Sequence, residues 1–126
     1  MRLDRLIQVF AGFEPRVLFA YMFGSTGTPS ESPRSDLDMA VFFDPAAAWE
    51  GLNPRLHLYT ELSRAMKRND IDIVILNTCT NQMLLYEIMI RGRLIYDADS
   101  EIRAVFEQKT LHAAIDFKEQ QKRIFA

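Results

Sequence analysis

Two apolar runs and the polar segment between them, Val17-Leu18-Phe19-Ala20-Tyr21-Met22-Phe23-Gly24-Ser25 and Asp36-Leu37-Asp38-Met39-Ala40-Val41-Phe42-Phe43, decide how this chain folds. The first run is β-branched and aromatic, and Pro15 and Gly24 bound it, so it reads as a buried strand. The second is a strand that opens on two acids and ends at Asp44-Pro45. Residues 26 to 35 separate Ser25 from Asp36, ten in all, and none of them is apolar. Gly27, Pro29 and Pro33 make this segment a surface loop. A link this short returns the second strand antiparallel beside the first.

Outward from this pair, Leu3, Leu6, Ile7 and Phe10 recur at helical spacing before Gly12. Downstream, Asn53-Pro54 supplies a helix N-cap followed by proline at the first helical position, and Leu56, Leu58, Leu62 and Met66 give that helix an apolar side. Ile71-Asp72-Ile73-Val74-Ile75-Leu76 is a third strand, returning through a helix and ended by Asn77-Thr78. A helix over about 81–91 stops at Gly92, Arg93 to Tyr96 adds a short edge strand, and a last helix runs from Ser100 to about Ile124. The expected architecture is α+β, an α/β sandwich with a small mixed sheet flanked by helices.

The chain has 126 residues, enough for one domain over 1–126 and too few for separate catalytic and substrate domains. With 48% hydrophobic residues it can bury a core. A net charge of −2 and a pI near 5.7 argue against direct nucleic-acid binding, which calls for a basic face. Cys79 is the only cysteine, so neither an internal disulfide nor a cysteine-based zinc site can form. The residues from Met1 to Phe13 are no signal peptide and the apolar runs are strand-sized, so the expectation is a cytoplasmic protein with no membrane span.

Alternation along a strand puts Asp36 and Asp38 on one face, and Asp70 and Asp72 likewise share a face of the third strand. Two carboxylates a few ångströms apart repel by roughly 4 kcal/mol at an effective dielectric near ~20. Either one pKa rises or a divalent cation sits between them. With no Cys/His cluster available, the donor set suits a hard cation with oxygen ligands. Asp72, inside its apolar run, is the better third ligand, while Asp70 caps the strand entrance. Gly24 lets a ligand approach the backbone, and with the Ser25 hydroxyl it makes a nest for phosphate oxygens beside the acids. Asp44, Asp97 and Asp99 read as turn residues, His57 and His112 as surface or satisfied side chains, and Trp49 as core.

Gly24-Ser25, ten residues, then Asp36-Leu37-Asp38 resembles the signature of the DNA-polymerase-β-like nucleotidyltransferase superfamily. Tyr21-Met22-Phe23, Ile71-Asp72-Ile73-Val74-Ile75-Leu76-Asn77 and Glu87-Ile88-Met89-Ile90-Arg91-Gly92-Arg93-Leu94-Ile95-Tyr96 are similar to its minimal members. Those are the minimal nucleotidyltransferase (MNT) proteins, antitoxins of HEPN/MNT toxin–antitoxin pairs. The likeness covers roughly residues 1 to 97. It implies that Asp36 and Asp38 ligate the metals, that Asp72 completes the site and helps activate the attacking hydroxyl, and that Gly24 and Ser25 hold the β- and γ-phosphates. It further implies transfer of AMP from ATP, with Mg²⁺ (two ions, Mn²⁺ being the alternative), to a tyrosine of a HEPN ribonuclease toxin. Pyrophosphate leaves. The competing readings are a binding-only antitoxin that neutralises its partner sterically, and a nucleotidyltransferase acting on a small molecule.

Family loops often carry a basic residue shortly after Gly-Ser. Here Thr26-Gly27-Thr28-Pro29 follows, and Arg34 is the nearest cation in the loop, so triphosphate binding leans on metal and backbone. On the last helix, Ile102, Phe106, Ala113, Phe117 and Ile124, with Val105 and Ile115 beside them, form the apolar side. That helix is too long for so small a domain to cover, which leaves part of it for a partner or an oligomer.

Overall fold

The structure, a computed structural model, describes residues 3–24, 36–47 and 53–125. In chain order these form α1 (Leu3–Gly12), β1 (Val17–Phe23), β2 (Leu37–Phe43), α2 (Pro54–Met66), β3 (Ile71–Ile75), α3 (Gln82–Arg91), β4 (Arg93–Asp97) and α4 (Ser100–Phe125). The sheet order is β3-β2-β1-β4. β1 pairs antiparallel with both β2 and β4, and β2 pairs parallel with β3. The mixed sheet, the helical return to β3 and the edge strand after Gly92 are as the sequence implies.

Both faces of the sheet are covered, which is why β1 and β2 read as almost continuous apolar runs rather than alternating ones. On one face Leu6 and Phe10 of α1 and Leu58 and Leu62 of α2 pack on Met22, Met39, Val41 and Phe43. On the other, Leu85 and Ile88 of α3 and Phe106 of α4 pack on Phe19, Tyr21, Ala40 and Phe42. Phe19 and Phe42 stack face to face across the β1–β2 pair at 4.7 Å. Each fully buried Leu or Phe here contributes about 1.5–3 kcal/mol through the area it withdraws from water.

The helix starts follow local chemistry. Asn53 Oδ1 accepts the Leu56 N–H at 3.1 Å, and Pro54 begins α2. Asn81 does the same for the Leu84 N–H of α3 at 3.1 Å. Asp99, expected only as a turn residue, accepts the Ile102 N–H at 3.1 Å at the start of α4. At the end of β2, Asn77 makes a two-way clip: its Oδ1 accepts from Phe43 N at 2.9 Å and its Nδ2 donates to Phe43 O at 2.8 Å. The clip satisfies backbone groups that β3 is too short to reach.

Three apolar assignments need correcting. Ile7 and Leu56 are exposed, although each falls in an apolar helical pattern. On α4 the buried alanine is Ala114, not Ala113, and Ile102, Val105, Ile115 and Ile124 are all exposed. Phe106 does face inward, as expected, but its neighbours on that side are Arg103, Glu107 and Ala114. Glu107 accepts from the buried Tyr21 hydroxyl at 2.8 Å and from Arg103 at 2.6 Å, and Arg103 also reaches Asp97 at 2.9 Å. A polar network therefore fastens α4 to the sheet where an apolar stripe was expected. Burial and the Glu107 carboxylate push the Tyr21 phenol far above its ordinary value, keeping it protonated as the donor.

Candidate active site

The site begins where β1 ends and β2 starts, since Phe23 pairs with Asp38 across the antiparallel ladder. The chain turns at Gly24 with φ +72°, a left-handed conformation that costs glycine little. A Cβ at this position would lie 2.6 Å from Asp38 Oδ2, so the turn is pressed against the carboxylate and a side chain here would make Asp38 give way. Ser25 lies outside the described residues, as do Arg34 and Trp49.

On the other side of β2, Asp38 stands opposite Asp72 in the parallel register. The pairing of these strands opens with Leu37 N donating to Asp70 O at 2.7 Å. Parallel partners directly opposite each other point to the same face, so the two carboxylates share the face carrying Ala40, Phe42 and Val74. Asp36 is exposed one residue before the strand, while Asp38 is half-buried. The Asp38 carboxyl is held above its ordinary range, first by burial and then by the negative charges of Asp72 and Asp36. Asp36 and Asp72 thus both act on Asp38. Among the described residues, no three His, Cys, Asp or Glu side chains close into a finished metal cage.

Asp72 is 58% exposed on the edge strand, and Arg55 Nη2 from the first turn of α2 reaches its Oδ1 at 3.4 Å. Nothing in the sequence pattern singled out Arg55; the available signal was a cation two residues after a capped helix start. Asp70 is elsewhere engaged, as expected of a residue at the strand entrance. Arg68 grips it through Nε and Nη2, each at 2.6 Å, and these hydrogen bonds hold its carboxyl below the usual range. The His57 ring lies tilted against Phe13 at 4.8 Å and approaches Glu61 at 3.8 Å, His57 and His112 are exposed, and both belong to the surface.

A cavity of about 300 Å³ opens beside Arg55, lined also by Asn53, Leu56, Tyr59, Ile71 and Ile73. Among the described residues no helix is long and apolar enough to cross a membrane.

Comparison with known proteins places this arrangement. Among solved structures, a toxin–antitoxin complex with AMP-PNP contains a chain of the same fold, with TM-score 0.78 and 21% identity over 99% of this chain and 96% of that one. A complex of a tri-AMPylated Shewanella oneidensis HEPN toxin with an MNT antitoxin gives TM-score 0.70 and 21% identity, over 98% and 92% of the two chains. The MntA-HepT toxin–antitoxin gives TM-score 0.70 and 20% identity at the same coverage. No curated protein gives a significant sequence match. A family model described as "Polymerase beta, Nucleotidyltransferase" matches residues 4–101, which take in the whole sheet and every described acid of the site. The chain belongs to the Polymerase beta nucleotidyltransferase family.

Proposed function

We propose that this protein is an adenylyltransferase antitoxin that moves AMP from ATP onto a tyrosine hydroxyl of a HEPN ribonuclease toxin. The observation that carries the reading is the register of Asp38 with Asp72, set against the tight Gly24 turn. Carboxylates from two neighbouring strands and a tight backbone turn meet at one end of one face. The choice of nucleotide and acceptor draws on the fold relatives, one of which was solved with AMP-PNP and another with a tri-AMPylated HEPN toxin.

The donor set is all carboxylate oxygen, and the mutual repulsion that raises the Asp38 pKa is what a divalent cation relieves. On this reading Asp36, Asp38 and Asp72 are the residues that would hold Mg²⁺. When bound, the metal neutralises the phosphates and the charge that builds up during an in-line displacement. Gly24 and Ser25 hold the β- and γ-phosphates. The tyrosine oxygen attacks the α-phosphorus, a new P–O bond forms, and the bond to the bridging β-oxygen breaks. Pyrophosphate departs, and Asp72 receives the phenolic proton. Positioning and charge neutralisation supply most of the rate.

The whole chain acts as a single nucleotidyltransferase domain. The outer side of α4, with Ile102 and Val105 exposed, lies beyond the family match and is left for the partner.

The test is to incubate the protein with Mg²⁺, each nucleoside triphosphate in turn, and a HEPN protein encoded beside it, then weigh that protein by mass spectrometry. A gain of one or more AMP units with ATP, absent with chelator, supports the reading. Neutralisation of the toxin without any mass change would favour a binding-only antitoxin.

A further inference from the structure

Asp36 and Asp72 both lie within electrostatic reach of Asp38, and a triphosphate brings further negative charge to them. The loop after Gly24 carries no basic residue from Thr26 to Pro29. Arg34, further along the loop, lies outside the described residues, and among the described ones Arg55 is placed to supply a cation. Resting on the nucleotidyltransferase reading, we infer that Arg55 is a phosphate-binding residue for the nucleotide, parked on Asp72 when the site is empty.

Three features of the Arg55–Asp72 contact fit a resting place rather than a structural lock. Its 3.4 Å length is well beyond the roughly 2.7–2.9 Å of a firm charge-assisted hydrogen bond. Both side chains are largely exposed, 60% for Arg55 and 58% for Asp72, so leaving the pair costs little. The Arg68–Asp70 pair two residues upstream shows the contrast. It makes two bonds at 2.6 Å between side chains that are mostly covered, and it holds the entrance to β3 closed.

The base of Arg55, by contrast, is fixed. The Asn53 cap and Pro54 set the first turn of α2, so the side chain pivots from a rigid point. With Asp72 engaged in the loaded site, the Arg55 guanidinium would stay beside it, where its planar fork would match two oxygens of a phosphate group. Arg55 thereby fills the role left open in the loop, and Asp72 exchanges one cation for another without being left uncompensated.

Two titrations test this by calorimetry on the wild type, Arg55→Ala and Arg55→Lys, with thermal melts as a check on folding. One follows Mg²⁺ alone, the other a non-hydrolysable ATP analogue in saturating Mg²⁺. Arg55→Ala should melt within a few degrees of wild type, bind Mg²⁺ at least as tightly, and bind the analogue roughly tenfold or more weakly. Arg55→Lys should recover part of that loss. Analogue affinity unchanged in Arg55→Ala, with wild type binding normally, would overturn this inference and leave the transferase reading standing. A wild type that binds no nucleotide in Mg²⁺ would remove both.

Discussion

Asp38 and Asp72 occupy directly opposed positions in the parallel β2–β3 register, with the Gly24 turn closing against Asp38 from the other side. The strand order puts β2 between β1 and β3, so a single central strand presents its acid to both the backbone turn and the third carboxylate. Such an array of like charges is costly in a folded protein unless a cation occupies it. Most of the expected behaviour follows from that tension.

Replacing Asp38 by Asn should separate stability from activity. The folded protein without metal holds the Asp38 proton to higher pH than the unfolded chain, whose ordinary value is 3.8. The stability this proton contributes is fully present below that value and is lost as pH rises through the raised one. Above that window wild type carries the repulsion and Asp38→Asn does not, so the variant should melt higher in chelator while losing AMP transfer. Melting curves from pH 3 to 8 check this; a variant that melts lower throughout would contradict it.

Gly24→Ala should destabilise by about 1–3 kcal/mol, because φ +72° disfavours a side chain and the new Cβ would meet Asp38 Oδ2 at 2.6 Å. Part of this cost depends on the carboxylate itself. In Asp38→Ala the added cost of Gly24→Ala should be smaller, leaving a coupling of about 0.5 kcal/mol or more in a double-mutant cycle by urea denaturation. Strict additivity would show that the turn and the acid do not touch.

Tyr21→Phe removes the hydroxyl that donates to Glu107 at 2.8 Å but leaves Glu107 paired with Arg103. The expected cost is about 1–2 kcal/mol. Arg103→Met should cost more, because it strips partners from both Asp97 and Glu107. Chemical denaturation of the two variants checks the order, and the reverse order would mean that the Tyr21–Glu107 bond holds α4 more firmly than the Arg103 pairs do.

How much of this was legible in the sequence differs from element to element. The β1 and β2 runs, the Asn53-Pro54 and Asn81 helix starts and the stop at Gly92 depend on neighbours within a few residues, and each reads correctly. The Asp38–Asp72 opposition was accessible through strand parity, because β2 and β3 each place an acid second in the strand. The apolar side of α4 was misjudged because Tyr21, 86 residues away from Glu107, selects the inward face through a polar contact. Arg55 was missed for a similar reason: its partner is a strand residue 17 positions on, and an isolated helical arginine carries no mark of where it points. Ser25 falls outside the described residues, so its place at the site remains part of the proposal.

The most direct measurement is a crystal structure of the protein with Mn²⁺ and a non-hydrolysable ATP analogue, using the anomalous signal of the metal. The account predicts a peak about 2.1 Å from oxygens of Asp38 and at least one of Asp36 and Asp72, bridged to the analogue's phosphates, which lie over Gly24. A nucleotide bound elsewhere on the protein, or a metal with no ligand among these three carboxylates, would contradict it.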